Sequence, residues 1–216
     1  MENANVRILS VADLHGSLSR LDLIRDRLAT HKPDVVVIAG DITKFGKPAD
    51  YLNRLNDLAL PVLVVRGNTD PPSLEGLLNR YPNLSSLHRK RIIFRGVVFM
   101  GLGGTLPLPF RCRIGLWEKD MLEEAGPMID GLSVLVAHPP PFGILDEVLG
   151  RFHTGSKGLR DIVLGREPRL LLCGHIHERP GMARLGGTVV VNCNMASGGG
   201  ALVELKGESA PAVTLL

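Results

Sequence analysis

Strand patterns alternate with helical patterns at the start of this chain, and this alternation constrains the fold more than any other feature. Runs rich in Val, Ile and Leu occupy three segments, residues 6–11, 34–41 and 61–65. Two helical patterns separate them, the first capped by Ser17 or Ser19 and the second covering residues 49–58. Strands that alternate with helices in this way form a parallel sheet of an α/β fold.

The second half of the chain has a different pattern. Residues 92–104 predict a hairpin, and two further buried strands are expected at residues 132–138 and 169–175. Short strands separated by Gly-rich turns fill residues 188–216, so this half is more antiparallel. Because no linker or internal repeat divides the chain, we expect one domain, residues 1–216, with two sheets.

Polar side chains follow five of these strands at the point where each strand ends. They are carboxylates, imidazoles and one amide, without a thiolate: Asp13, His15, Asp41, Asn68, His138, His175 and His177. Each alone has an ordinary explanation as a helix cap, a turn residue or a hydrogen-bonded core histidine. Together they favour a binding site, because ligands of open α/β sheets bind beyond the carboxyl ends of the strands.

The donor types indicate a metal centre. Oxygen donors mixed with imidazoles suit divalent ions such as Mn, Fe, Zn or Ni, and we expect Mn. Seven donors are too many for one tetrahedral ion, but they fit two ions that share a bridging carboxylate. Two ions about 3.5–4 Å apart can clamp a phosphoryl group and activate a water for in-line attack.

The order of the motifs is similar to that of a known family. They are Asp13-x-His15, Gly40-Asp41, Gly67-Asn68, His138 and Gly174-His175-x-His177. This series resembles the calcineurin-like metallophosphoesterase superfamily over most of the chain. The resemblance implies a four-layer α/β/β/α sandwich with two facing mixed β-sheets. It also implies two ligand sets bridged by Asp41: Asp13, His15 and His177 for one metal, and Asn68, His138 and His175 for the other.

The resemblance further implies a phosphoric ester hydrolase in which a metal-bridging hydroxide attacks phosphorus. Asp41, Asn68 and His138 are the predicted catalytic residues. The carbonyl oxygen of Asn68 would bind metal, while its NH₂ group donates toward a phosphate oxygen. Alternative functions are a phosphomonoesterase, including a protein phosphatase, or a scaffold that kept the fold without turnover.

Thr69 departs from the family's commonest pattern, which has a histidine there that an acidic residue orients. Threonine cannot act as a general acid near neutral pH, and a general acid contributes about 10²–10⁴-fold. We therefore expect small or activated phosphodiesters as substrates. Asp70, the acidic residue of this motif, has no imidazole at position 69 to orient. His153 is either an alternative proton donor or a surface histidine.

Three further residues are candidates for substrate binding. Thr69 follows the predicted ligand Asn68, and Ser156 with Lys157 begins a predicted helix. Ser156 is an N-cap on the ordinary interpretation. On the functional one, the free N–H groups of this helix start and Lys157 bind a substrate phosphate.

Composition narrows the partners and the compartment. The formal charge of +3 comes without a long Lys/Arg run, so we expect a small phosphoester substrate and no nucleic acid. No apolar run approaches the roughly 18 residues of a membrane span, and the first residues have no charged and apolar pattern of a signal peptide, so we expect neither a membrane span nor export. The three cysteines are widely spaced, which favours a reducing, cytoplasmic location. The irregular loop at residues 106–117 either packs on the domain or forms a rim for a substrate or a second subunit of a homo-oligomer.

Overall fold

A computed structural model describes residues 5–44, 48–104 and 118–216. The irregular loop predicted at residues 106–117 lies outside these ranges. In chain order the strands are β1 (Asn5–Val11), β2 (Val35–Ala39), β3 (Val62–Val65), β4 (Leu84–Ser86), β5 (Arg91–Phe94), β6 (Val97–Leu102), β7 (Val134–Ala137), β8 (Glu147–Val148), β9 (Phe152–His153), β10 (Leu170–Cys173), β11 (Gly181–Leu185), β12 (Thr188–Asn192), β13 (Ala201–Lys206) and β14 (Ala212–Leu215). The helices are α1 (Leu18–His31), α2 (Ala49–Asn56), α3 (Leu74–Leu78), α4 (Glu118–Ala125) and α5 (Lys157–Arg166), and a short 3₁₀ helix covers Gly126–Met128.

The strands form two mixed sheets of six strands each. The first has the order β14-β13-β1-β2-β3-β4, in which β1 to β4 are parallel, β13 is antiparallel to β1, and β14 is antiparallel to β13. The second has the order β11-β12-β10-β7-β6-β5, in which the four inner strands are parallel and both edge strands are antiparallel. Strands β8 and β9 pair with each other as a separate hairpin.

Three apolar clusters show how the layers stack. One cluster lies between the two sheets and joins residues such as Ile8 and Phe99. A second packs α1, α2 and α3 on the outer face of the first sheet, and a third packs α4 and α5 on the outer face of the second. This α/β/β/α sandwich with two facing mixed sheets confirms the predicted fold class.

Local capping agrees with the sequence at both long helices. The Ser17 hydroxyl accepts from the Arg20 amide and begins α1, so Ser17, not Ser19, is the cap. Ser156 begins α5 by accepting from the Leu159 amide at 2.9 Å. Within the described ranges, no helix is long and apolar enough to span a bilayer.

The functional candidates lie at one edge of this sandwich. Strands β1, β2 and β3 run parallel in one sheet, and β7 and β10 run parallel in the other. Their carboxyl ends are joined across the sheets, because the His138 ring bonds the Ala39 carbonyl at 2.7 Å. The polar residues that follow these five strands therefore meet.

Candidate metal centre

Several of the predicted ligands have an uncommon backbone conformation. The φ angles are 58° at Asp13, 49° at His15, 52° at Asp41 and 68° at His175. Such left-handed conformations in non-glycine residues cost on the order of 1–3 kcal/mol each and cluster at functional sites. Here four of them turn the chain at strand ends so that the side chains converge.

Two glycines of the motifs are required by close contacts. A Cβ atom on Gly67 would lie 2.1 Å from Oδ1 of Asp41, and one on Gly40 would lie 2.3 Å from Nδ1 of His138. Gly40 also has a φ of 96°, which side-chain-bearing residues rarely adopt. The glycine before Asp41 and the one before Asn68 thus make room for the ligands.

One cluster is formed by Asp13, His15 and His177. Oδ1 of Asp13 lies 3.3 Å from Nε2 of His177 and 4.0 Å from Nε2 of His15. Asp13 is fully buried, and its other oxygen accepts from the His175 amide at 2.9 Å. Among the described residues Oδ1 has no hydrogen-bond partner. A buried carboxylate oxygen without a donor, facing two imidazoles, fits a bound cation.

A second cluster is formed by Asp41, Asn68 and His138, with His175 beside it. Nε2 of His138 lies 3.1 Å from Oδ1 of Asn68 and 3.5 Å from Oδ1 of Asp41. Nδ1 of His138 donates to the Ala39 carbonyl, which leaves Nε2 with a lone pair when the ring is neutral. Nε2 of His138 and the Oδ1 atoms of Asn68 and Asp41 are then three acceptors that face one another, and a metal ion bound between them would satisfy all three. His175 lies beside this cluster, with its ring centre 5.0 Å from that of His138 and its Nε2 buried without a partner among the described residues.

The shifted pKa values of His138 and Asp41 indicate that a proton lies between these two side chains in the absence of a cation. Burial opposes charge on His138, but the Asp41 carboxylate outweighs it and raises the pKa of His138 to about 9. Burial and the neighbouring His138 charge lower the pKa of His175 to about 3. Burial would raise the pKa of Asp41, yet His138 and the Thr69 amide hold it below its usual value. A divalent ion bound here would replace the proton between Asp41 and His138, so its binding would release a proton.

Asp70 has a structural role in this chain. Its buried carboxylate accepts from the amides of Ile42 (3.1 Å), Thr43 (2.8 Å) and Gly67 (2.9 Å), and from the Thr43 hydroxyl (2.9 Å). The Thr69 hydroxyl donates to the Thr43 carbonyl at 2.7 Å. Asp70 therefore ties the loop after β2 to the loop after β3.

A cleft of about 280 Å³ opens beside the clusters. Its lining residues are His15, Asp41, Asn68, Thr69, His175, Ile176, His177 and Glu178. Glu178 was not among the residues predicted from the sequence, although its position directly after the predicted ligand His177 could have indicated that it lies at the site. Its carboxylate accepts from the Leu149 amide at 2.7 Å, which ties it to the β8–β9 hairpin.

The other predicted substrate-binding residues lie outside this lining. The buried Ser156 hydroxyl accepts from the Leu159 amide and donates to Glu118, and the Gly155 amide donates to Asp146. The Lys157 ammonium lies 5.1 Å from the centre of the Phe142 ring. A phosphate-binding role for Ser156 and Lys157 stays a prediction that these contacts argue against.

His153, the alternative proton donor, also lies outside the cleft lining. It bonds Oδ1 of the buried Asp146 at 2.6 Å, and its side chain is about half exposed, at 47%.

Comparison with known proteins agrees with this geometry. The family model described as calcineurin-like phosphoesterase matches residues 6–179. An uncharacterized protein of Methanocaldococcus jannaschii is 31% identical over 196 residues, covering 87% of each chain. A cAMP/cGMP dual specificity phosphodiesterase of Mycobacterium tuberculosis is 28% identical over 158 residues, which is 68% of this chain and 49% of that protein. A crystal structure of a Thermus thermophilus protein has a TM-score of 0.72 and 19% identity, covers 97% of this chain and 98% of its own, and shows the likeness of fold alone.

Proposed function

The chain belongs to the calcineurin-like phosphoesterase family, and we propose that it is a dinuclear metal-dependent phosphodiesterase for small or activated substrates. The observation that carries the metal requirement is that two of the buried side-chain atoms without hydrogen-bond partners in the described chain, Oδ1 of Asp13 and Nε2 of His175, lie at this site. The first atom belongs to one ligand cluster and the second lies beside the other, so two ions would satisfy both. When bound, two divalent ions supply Lewis acidity and an activated water.

The residues of this chain would do the remaining work. Asp41 lies between the clusters, 3.5 Å from His138 and 3.9 Å from His15, so its carboxylate can bridge two ions. Asn68 would bind through Oδ1 and donate from its NH₂ group to a phosphate oxygen. The Ala39 carbonyl orients His138 by accepting from Nδ1, as metal-binding histidines require.

The preference for diesters follows from the cleft lining. Thr69 cannot protonate a leaving group, so substrates whose leaving groups depart as stable anions are favoured. Within the described part of the lining there is no Lys or Arg, and Glu178 adds a negative charge. A monoester dianion is repelled more by this carboxylate than a diester monoanion. The M. tuberculosis relative, a phosphodiesterase by name, supports the same choice.

Two aryl esters with the same leaving group test this proposal. With Mn²⁺-loaded protein, we expect kcat/KM for bis(p-nitrophenyl) phosphate to exceed that for p-nitrophenyl phosphate, and to fall steeply for alkyl diesters. Glu178→Gln should raise the relative rate on the monoester about 1.4–5-fold, since exposed charge pairs contribute about 0.2–1 kcal/mol. A faster monoester reaction, or rates independent of the leaving group, would contradict the assignment.

We also propose manganese as the native metal and the cytoplasm as the compartment. The mixed set of carboxylate, amide and imidazole donors supports a borderline divalent ion. Cys173 and Cys193 are buried free thiols, which is the usual state in a reducing compartment.

A further inference from the structure

One short segment links the two sheets behind the metal centre. Residues 192–197 leave β12 in the second sheet and lead toward β13 in the first. The Cys193 amide donates to the Cys173 carbonyl at 2.9 Å, and the Cys193 carbonyl accepts from the Ala12 amide at 3.0 Å. The segment therefore contacts the ends of β10 and β1, whose following residues include the ligands His175 and Asp13.

Two buried amide side chains in this segment converge on one carbonyl. Asn192 and Asn194 are 1% and 0% exposed. Their NH₂ groups donate to the carbonyl of Ile176, at 2.8 Å and 3.3 Å. Oδ1 of Asn192 accepts from the backbone and side-chain nitrogens of Asn194, at 3.2 Å and 3.3 Å. Ile176 stands between His175 and His177, so both amides hold the backbone that separates these two ligands.

Asn194 extends this support to His177. Its Oδ1 accepts from the amides of Ala196 and Ser197, each at 3.2 Å, and so fixes the turn that carries Ser197. The Ser197 hydroxyl donates to the carbonyl of His177. The Asn194 turn thus fixes the backbone of His177 itself.

The two ends of the His175–His177 stretch are held differently. The backbone of His175 is fixed by two hydrogen bonds. Its own amide donates to the Asp13 carboxylate, and the Gly174 amide donates to the His138 carbonyl, each at 2.9 Å. The His177 side chain is about half exposed, at 44%, and its Nε2 reaches Asp13 at 3.3 Å. Its position therefore depends on the backbone support from the buried amides.

We propose that Asn192 and Asn194 are positioning residues that set His177 against Asp13 and thereby control one of the two metals selectively. That metal is the one that Asp13, His15 and His177 would hold. The inference rests on the dinuclear centre of the proposed function. Neither asparagine was among the sequence-predicted residues, and neither touches the cleft lining other than through Ile176 and the loop of His177. Groups that orient metal ligands in this way typically change metal affinity or activity by about 10–100-fold when removed.

Metal titration of the wild type and three variants tests the proposal without relying on turnover. Chelator-treated wild type, Asn194→Ala, Ser197→Ala and Asn83→Ala are titrated with Mn²⁺ by calorimetry, and each is followed by electron paramagnetic resonance. Asn83 is the matched control, because its half-buried amide also donates to a carbonyl, that of Asn56 at 2.8 Å, beside the amino end of β3. Ser197 is exposed, so its variant keeps the test decisive should Asn194→Ala fail to fold.

We expect Asn194→Ala to weaken one Mn²⁺ site about 10–100-fold and the other by less than about threefold. The spin-coupled signal of the manganese pair should give way to that of a single ion at equal loading. Ser197→Ala should weaken the same site by a smaller factor, and Asn83→Ala should weaken neither.

Three results would overturn the proposal. They are unchanged binding of two ions by folded Asn194→Ala and by Ser197→Ala, equal weakening of both sites, or the same loss in Asn83→Ala. Wild-type protein that binds fewer than two ions would overturn it together with the dinuclear centre. Wild-type protein that binds two ions without hydrolysing any ester would overturn the proposed function and leave this inference standing.

Discussion

Replacing Asp70 with asparagine should destabilise the protein and loosen the metal centre together. The Asp70 carboxylate is buried and accepts four hydrogen bonds, two on each oxygen. Its partners flank the ligands, because Ile42 follows Asp41 and Gly67 precedes Asn68. An amide has only one acceptor oxygen, so it cannot replace both.

The magnitude follows from the least unfavourable orientation of the new side chain. The amide oxygen can keep the Ile42 and Gly67 donors, and the Thr43 hydroxyl can rotate to accept from the NH₂ group. The Thr43 amide then loses its partner, at about 1–3 kcal/mol, and the two retained bonds each lose roughly 1 kcal/mol on becoming neutral. Relief from burying a charge offsets about 1 kcal/mol of this. The net loss is about 2–4 kcal/mol, which at about 2–4 °C per kcal/mol lowers Tm by roughly 4–16 °C.

Unfolding of the metal-free protein in urea and by heat measures this loss, and Mn²⁺ titration measures the effect on the ligands. Both metals should bind more weakly in Asp70→Asn, since the loops of Asp41 and Asn68 lose the same brace. Asp161→Asn, an exposed carboxylate on α5, is the control and should stay within about 0.5 kcal/mol. A loss below about 0.5 kcal/mol in Asp70→Asn would refute the reasoning.

Three further predictions concern the ligands and the missing general acid. Asp41→Asn should abolish hydrolysis and lower the affinity for both metals more than about 100-fold, because an amide has no charge to hold two cations. Metal counting by mass spectrometry checks this, and full activity would contradict the bridging role of Asp41. Thr69→His should raise kcat/KM for alkyl diesters no more than about threefold, because the oxygens of Asp70 already accept four hydrogen bonds and cannot orient the new ring. A rise by the full ~10²–10⁴-fold that a general acid typically contributes would contradict this. The metal-free protein should lose stability as pH rises, because the pKa of His138, about 9 when folded, lies above the roughly 6.5 of the unfolded chain. This contribution is complete below about pH 6.5 and is lost as pH rises through the folded value. The lowered pKa values of His15, His88 and His175 act in the opposite direction, but mainly near and below about pH 7, so urea midpoints should fall between about pH 7.5 and 9 without metal and rise with Mn²⁺. Metal-free midpoints that do not change in this range would contradict the shared proton.

The sequence alone predicted those features that depend on residues close together in the chain. Strand patterns and the polar residues directly after them predicted the two sheets and brought seven donor residues to one edge. Several short elements were missed, among them α3, β4, the β8–β9 hairpin and β11, because runs of two to five residues are too few to show a period.

Contacts between distant segments could not be predicted in the same way. Asp70 bonds Ile42 and Thr43 across 28 and 27 residues, and Asn194 bonds Ile176 across 18. The sequence indicated no partner for Asp70, because position 69 has no histidine. Its actual partners are mainly backbone amides, which every residue but proline has and which a sequence therefore cannot reveal. The same holds for the two asparagines, whose partner is a carbonyl.

The most direct test of the central claim is to count metal ions against hydrolysis. Protein stripped with chelator is titrated with Mn²⁺ while turnover of bis(p-nitrophenyl) phosphate and bound metal per chain are recorded together. We predict that stripped protein is inactive and that activity returns with the second ion, not the first. Full activity in stripped protein, or with one ion per chain, would contradict a dinuclear phosphoesterase.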